Sequence, residues 1–329
     1  MSICLRRREF IAALGGAAVW PLAARAQQRK AIRRIGVLLL GSGSDPIVRT
    51  WVAAFQEGLR QAGWIDNDNL RIELRFAGDA SGIRASAEEL VKLAPDVILS
   101  HSSPGTSAIQ QQTTTIPIVF VAVGDPVANG MVKEIAHPDG NTTGLTNLFP
   151  SMGGKWLELL KEAAPRVVRV GLLFNPELQF SRTYFPSIEA AASQLAVRVV
   201  RIPYRSPAEL GDGADSIAAE PNGGVIILPP VGAYPPDFFL RLQQNRLPAI
   251  AGARAGLTAG VLMFYGADNT DLFRRAASYV DRILHGEKPG DLPVQFPIKF
   301  EMVLNLKAAK AMGLAVPRTL RVFATEVIE

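Results

Sequence analysis

Short, almost wholly apolar runs alternate with helix-period stretches along this chain. The alternation starts afresh after a small, polar, glycine-flanked segment at residues 140–146. Runs such as 35–40, 97–99 and 118–121 are too short for helices and too uniformly apolar for half-exposed strands. They fit strands of a parallel sheet buried on both faces. Between them, Val48, Val52, Phe55 and Leu59 recur at helical spacing, as do Ile83, Ala87, Leu90 and Val91. Strand–helix–strand units of this kind close with right-handed crossovers. Residues 167–174, 197–202 and 224–228 repeat the pattern after residue 150. The expected fold is α/β: two Rossmann-like parallel-sheet lobes, joined by crossovers, with a cleft between them.

Ligands of such sheets sit beyond the carboxyl ends of the strands. Three exit loops of the first half carry small residues there: Ser42, Gly43 and Ser44; His101, Ser102 and Ser103; Gly124 and Asp125. Two of these loops precede helices, whose N-termini favour an anion, so a ligand carboxylate is the expected guest. In the second half the corresponding positions are Asn175, Phe180, Tyr184, Pro230 and Arg254, with Tyr265 near the junction of the halves. Thr143, Gly144 and Gly266 are read as hinge residues. Segments 140–146, 260–266 and 292–297 are the three expected passages between lobes.

The first 26 residues read as an address. Arg6-Arg7-Arg8-Glu9-Phe10-Ile11 precedes a small-residue apolar run, then Ala24-Arg25-Ala26 and Gln27. A basic start, an apolar middle and a small-x-small end make a secretory signal, and the paired arginines resemble the twin-arginine type. The expectation is therefore a periplasmic protein that begins near Gln27. Cys4 is the single cysteine and lies in this leader, which leaves the remainder without disulfide, thiol nucleophile or thiolate metal site. Four of the 35 basic and one of the 30 acidic side chains also fall there, so the rest carries a formal +2. A nearly neutral chain offers no footprint for nucleic acid.

Catalytic constellations are missing from the pattern. Gly41-Ser42-Gly43 has Pro46 where a dinucleotide fingerprint needs its third glycine, and the Lys-Ser/Thr of a phosphate loop is absent. No Gly-x-Ser-x-Gly elbow occurs. His101, His137 and His285 lack metal-ligand spacing. Asp125 alone could act as a general base, but a carboxylate before proline is an ordinary turn residue. No cofactor and no metal are expected.

Several stretches together carry a resemblance. They are the leader with Trp20-Pro21-Leu22-Ala23-Ala24-Arg25-Ala26-Gln27-Gln28, Ile116-Pro117-Ile118-Val119-Phe120 and Gly124-Asp125-Pro126-Val127. Gly140-Asn141-Thr142-Thr143-Gly144-Leu145, Leu262-Met263-Phe264-Tyr265-Gly266 and Asp271-Leu272-Phe273-Arg274-Arg275-Ala276-Ala277 belong with them. The chain resembles the ABC-transporter substrate-binding family that includes tryptophan and tyrosine binders. The resemblance implies a type I periplasmic-binding fold with three crossovers, a small-molecule ligand trapped by closure, and delivery to an inner-membrane ABC permease. It implies lobes over 31–143 plus 267–292 and over 144–266 plus 293–329, in a protein acting as a monomer. An exported enzyme using the same cleft, a ligand-sensing regulator and a module reporting to a membrane receptor are the alternatives. A regulator would need an N-terminal DNA-binding helix pair, where this chain has a leader.

Overall fold

The computed structural model describes residues 32–147, 149–228, 236–254, 257 and 260–329. The leader and Pro230 lie outside them. Two sheets organise the chain. The first has the order β2-β1-β3-β4-β5, all parallel. Its strands are β1 (Arg33–Leu40), β2 (Leu70–Ala77), β3 (Val97–His101), β4 (Ile118–Val123) and β5 (Thr142–Thr146). Helices α1 (Pro46–Gln61), α2 (Ala80–Lys92) and α3 (Ser102–Gln110) connect them. The apolar runs form the central strands because helices cover both faces; Val97, Ile98 and Leu99 are wholly buried. Asp45 starts α1 by accepting the Ile47 amide at 2.8 Å, and Pro46 occupies the first turn, where its missing N–H costs nothing.

The second sheet has the order β12-β11-β10-β9-β8-β6-β7. It contains β6 (Arg169–Phe174), β7 (Arg198–Pro203), β8 (Gly223–Ile227), β9 (Ala249–Ala251), β10 (Met263–Ala267), β11 (Phe300–Asn305) and β12 (Glu326–Ile328). Only the β10–β11 pair is antiparallel. Helices α4 (Met152–Ala163), α5 (Phe185–Leu195), α6 (Pro207–Ala218) and α7 (Pro236–Gln244) pack around it, and α9 (Leu306–Met312) and α10 (Arg318–Phe323) close the chain. Trp156 on α4 is fully buried in this core among Leu160, Leu172, Ile188 and Ile226. Burial of each such large side chain contributes about 1.5–3 kcal/mol.

Helix α8 (Asn269–Leu284) follows β10 of the second sheet yet packs in the first core, with Leu272, Phe273, Ala276 and Val280 buried there. Its capping follows the sequence signal: Asp268 accepts the Asp271 amide at 3.1 Å. It crosses α1 so closely that a Cβ on Gly58 would stand 2.7 Å from Ala277 Cβ. The architecture is thus two α/β lobes joined by three passages.

Two hinge expectations change at this point. Thr143 and Gly144 are interior positions of β5, hydrogen-bonded to β4 in the first sheet, and the chain leaves that sheet only after Thr146. Gly144 has φ +156°, and a Cβ there would fall 2.1 Å from the Phe120 carbonyl oxygen. It serves close strand packing. Likewise Leu292 is buried in the first core, and Gln295 bridges to Leu145 at the β5 edge. The first sheet therefore holds the chain through Thr146 and again at Gln295, beyond the expected boundaries at 143 and 292. Polar β5 stays buried because its hydroxyls find partners: Thr143 donates to the Leu292 carbonyl at 2.6 Å and Thr146 to the Val123 carbonyl at 2.8 Å.

Candidate functional site

Strand order fixes where the first lobe can hold a ligand. In a 2-1-3-4-5 sheet the connections leave in opposite directions from β1 and β3, and this opens a crevice at their carboxyl ends. The exits of β1, β3 and β4 are neighbours there, so the three predicted loops are brought together.

At the β1 exit, the Ser42 and Ser44 hydroxyls bond each other at 2.7 Å, and the Ser44 amide donates to Ser42 Oγ at 3.2 Å. Gly43 lets the loop lie on Phe76, whose ring would be 3.0 Å from a Cβ. Asp45 puts a carboxylate at the N-terminus of α1, so that end is already matched to a negative charge.

The β3 exit differs. His101 precedes α3 without a side-chain cap, and no acidic residue lies in the first turn of that helix. Ser102, its first residue, sits in the left-handed region at φ +65°. Its hydroxyl is buried with no hydrogen-bond partner among the described residues. A strained non-glycine residue and an orphaned hydroxyl at one strand end are costly, and such features concentrate where function requires them. Behind them, Thr106 Oγ1 contacts Ser100 Oγ at 2.8 Å and donates to the Ser102 carbonyl at 2.9 Å. Ser103 occupies the next position of the same turn, half-buried.

His101 spans the crevice. Its Nδ1 accepts the Leu40 amide of β1 at 3.4 Å, which places the ring proton on Nε2. The ring centroid lies 5.0 Å from Trp51 of α1 and 5.7 Å from Phe273 of α8. Trp51 and Phe273 stack at 5.5 Å, 7° from parallel. Burial in this aromatic setting pushes the imidazole down to about 4, so it is neutral near pH 7. Its polar partner is a backbone amide, and its ring neighbours are aromatic. Asn269, one turn before Phe273, has a buried Oδ1 without a partner among the described residues. Trp51, Phe273 and Asn269 were absent from the sequence-based site. Trp51 falls at i+3 from Val48 and reads as core. The other two arrive from a helix more than 160 positions later, which no local pattern can place.

At the β4 exit Asp125 is a turn residue: its Oδ1 accepts the Val127 and Ala128 amides at 3.2 and 3.0 Å. The Gly124 carbonyl accepts from Thr146 Oγ1 at 3.3 Å, which ties this loop to the end of β5.

The second-lobe expectations scatter. Asn175 stands at the β6 exit and accepts the Glu177 amide at 2.9 Å. Of Phe180 only the backbone is described, in the 3-10 turn Gln179–Tyr184. Tyr184 is a core residue, 4% exposed, with its ring 4.8 Å from Trp156, and burial drives its hydroxyl pKa up. Arg254 is engaged inside its own lobe, donating to Glu301 at 2.6 Å and to Glu326. This guanidinium joins the β9 exit to β11 and β12. Burial raises the Glu301 carboxyl, with Arg254 opposing that shift. Tyr265 stacks on Phe300 and lines a groove that none of the first-lobe exit loops lines. Gly266 follows it in β10, where a Cβ would meet the Phe264 ring at 2.7 Å.

The arrangement brings together an aromatic cluster, a neutral imidazole and an uncapped helix start at neighbouring strand exits, chemistry that suits a small polar solute. The chain matches, over residues 39–328, the family model described as ABC transporter substrate binding protein. It is 26% identical over 267 residues to the tyrosine-binding protein of Clostridioides difficile (strain R20291), covering 79% of this chain and 75% of that protein. A conserved domain protein from Vibrio cholerae superposes with a TM-score of 0.76 at 26% identity, over 90% of this chain and 99% of that one. A Streptococcus pneumonia domain solved in complex with L-Trp superposes at 0.77 and 24% identity, over 91% and 100%. These neighbours share the type I periplasmic-binding fold, and the chain belongs to the ABC transporter substrate-binding protein family.

Proposed function

We propose that this protein is the periplasmic receptor of an ABC importer and that its solute is an aromatic amino acid or a close relative of one. The lobes close over the solute and deliver it to an inner-membrane permease. The observation that carries the reading is the pairing, at the β1/β3 crevice, of the half-buried Trp51 and His101 rings, backed by buried Phe273, with the start of α3. There the start of α3, with no acidic residue in its first turn, and the buried Ser102 hydroxyl, unpartnered among the described residues, suit a carboxylate. The rings suit a planar side chain, and a neutral imidazole lets an uncharged ring approach without displacing a solvated cation. Similarity to a tyrosine-binding protein points the same way.

Ser42 and Ser44 are within the same set of loops and complete the polar rim of the first lobe. Asn175 is the second-lobe residue positioned to meet the solute on closure. Lobes of 32–147 plus 268–296 and of 149–267 plus 297–329 fit the sheet pairing, with bending in the residues just outside Thr146, Ala267 and Gln295. The leader directs export and is removed near Gln27, and the receptor acts as a monomer. Calorimetric titration with L-tyrosine, L-tryptophan, L-phenylalanine and an aliphatic control tests the ligand class. Heat from an aromatic amino acid and none from L-alanine supports it; heat from none of the aromatic three contradicts it.

A further inference from the structure

A cavity of about 420 Å³ lies on the second lobe, lined by Phe149, Met152, Lys155, Glu158, Tyr265 and Phe300 together with small residues of α4 and α5. None of the first-lobe exit loops reaches it. Its three aromatic residues come from three different places in the chain. Phe149 lies on the passage between β5 and α4, Tyr265 on β10 just before the return to α8, and Phe300 at the start of β11 after the third passage. One interlobe connection and two neighbouring strands of the second sheet thus each contribute one ring to a single groove. Phe149 meets Phe300 edge-on at 5.5 Å, and Tyr265 stacks on Phe300 at 5.8 Å, 15° from parallel. The site is open to solvent; Phe149 remains 37% exposed.

We propose that this groove is a second solute site, for a planar aromatic body carrying a zwitterionic head. Its volume falls in the range of small-molecule pockets, which favour domain junctions and combine apolar walls with a few polar groups. Lys155 and Glu158 stand at its rim, paired with each other at 3.2 Å. Both are about half exposed, so their pair contributes little to the fold and exchanges readily for the opposite charges of a guest. The guest's carboxylate meets Lys155, its ammonium meets Glu158, and its ring lies against Phe149 and Phe300.

Met152 is the reporter: it lines the groove and is 4% exposed. Protein carrying 13C-methyl methionine is titrated with L-tryptophan, in the wild type and in Phe149→Ala and Glu158→Gln, both altered at exposed side chains. Calorimetry on the same samples records the cleft separately, so a cleft that does not take L-tryptophan leaves the groove measurement intact. The Met152 methyl resonance shifts saturably in the wild type, and each variant weakens that titration roughly 3–10-fold without altering the heat of the tighter site. A Met152 resonance that stays still at millimolar ligand overturns the proposal. So does one that follows the cleft's binding curve identically in the wild type and both variants.

Discussion

Ser102 concentrates the argument at the scale of single residues. At φ +65° a serine carries about 1 kcal/mol of backbone strain that glycine does not, and its hydroxyl is buried unpaired. Ser102→Gly therefore stabilises the unliganded protein by about 1 kcal/mol and weakens solute binding by about tenfold, from the loss of one hydrogen bond to a charged group. Thermal melts with and without ligand measure both; a variant that melts lower and binds equally well removes Ser102 from the site. Trp51→Ala takes away the broadest face of the aromatic cluster, and calorimetry should show roughly tenfold or greater loss for aromatic amino acids. His101 adds a pH dependence. Its folded value, about 4, lies below its unfolded value near 6.5, so the unfolded chain binds the proton first. Stability is unaffected above about pH 6.5 and falls between there and about pH 4, by up to about 3 kcal/mol. Urea melts across that window should show a smaller loss in His101→Gln, and equal slopes would contradict the assignment. Sequence reading placed His101 and Ser102 at a strand exit, and the structure has them at the end of β3. It could not find Trp51 or Phe273, because a helix face shows which residues are buried and not which distant ring they meet.

Among the elements, the buried strands were the most legible, since an apolar run bounded by turn residues leaves few other conformations. Caps were legible too: Asn305 accepts the Ala308 amide at 2.9 Å to start α9, as its position before a helical stretch suggests. Strand β5 was harder. Its threonines and glycine were read as a hinge, yet all five residues are buried; Thr143 and Thr146 donate to carbonyls of the third passage and of β4, and the Thr142 hydroxyl pairs with the Gln110 and Asn141 side chains. Hydrogen-bond satisfaction lets so polar a strand stay buried. Gly144→Ala tests this packing. With a Cβ at 2.1 Å from a backbone oxygen and φ at +156°, the variant should lose about 3 kcal/mol or more, measured by denaturant unfolding. A cost within experimental error would mean that β5 does not pack on β4 as described. Arg254 illustrates the other limit of sequence reading. A cation in a strand-exit loop suggested a ligand contact, but two glutamates from β11 and β12 engage it.

At the scale of the molecule, each lobe has its own core, and three passages confine their relative motion to opening and closing. The third passage is firmly attached to the first lobe. Arg275 donates to the Phe296 carbonyl at 3.2 Å and to Gln295, and Lys299 pairs with buried Asp271 at 2.9 Å. A hinge with one anchored strand favours rotation of the second lobe about a fixed edge. The central claim, closure over an aromatic solute, is open to a direct distance measurement. Cys4 is the single cysteine of the sequence, so in protein without it Arg84→Cys on α2 and Asp212→Cys on α6 accept one spin label each, in the two lobes. Pulsed electron–electron resonance should give a shorter, narrower interlobe distance once L-tyrosine or L-tryptophan is added and no change with L-alanine. A distribution that stays the same at saturating aromatic ligand would contradict closure as the means of capture.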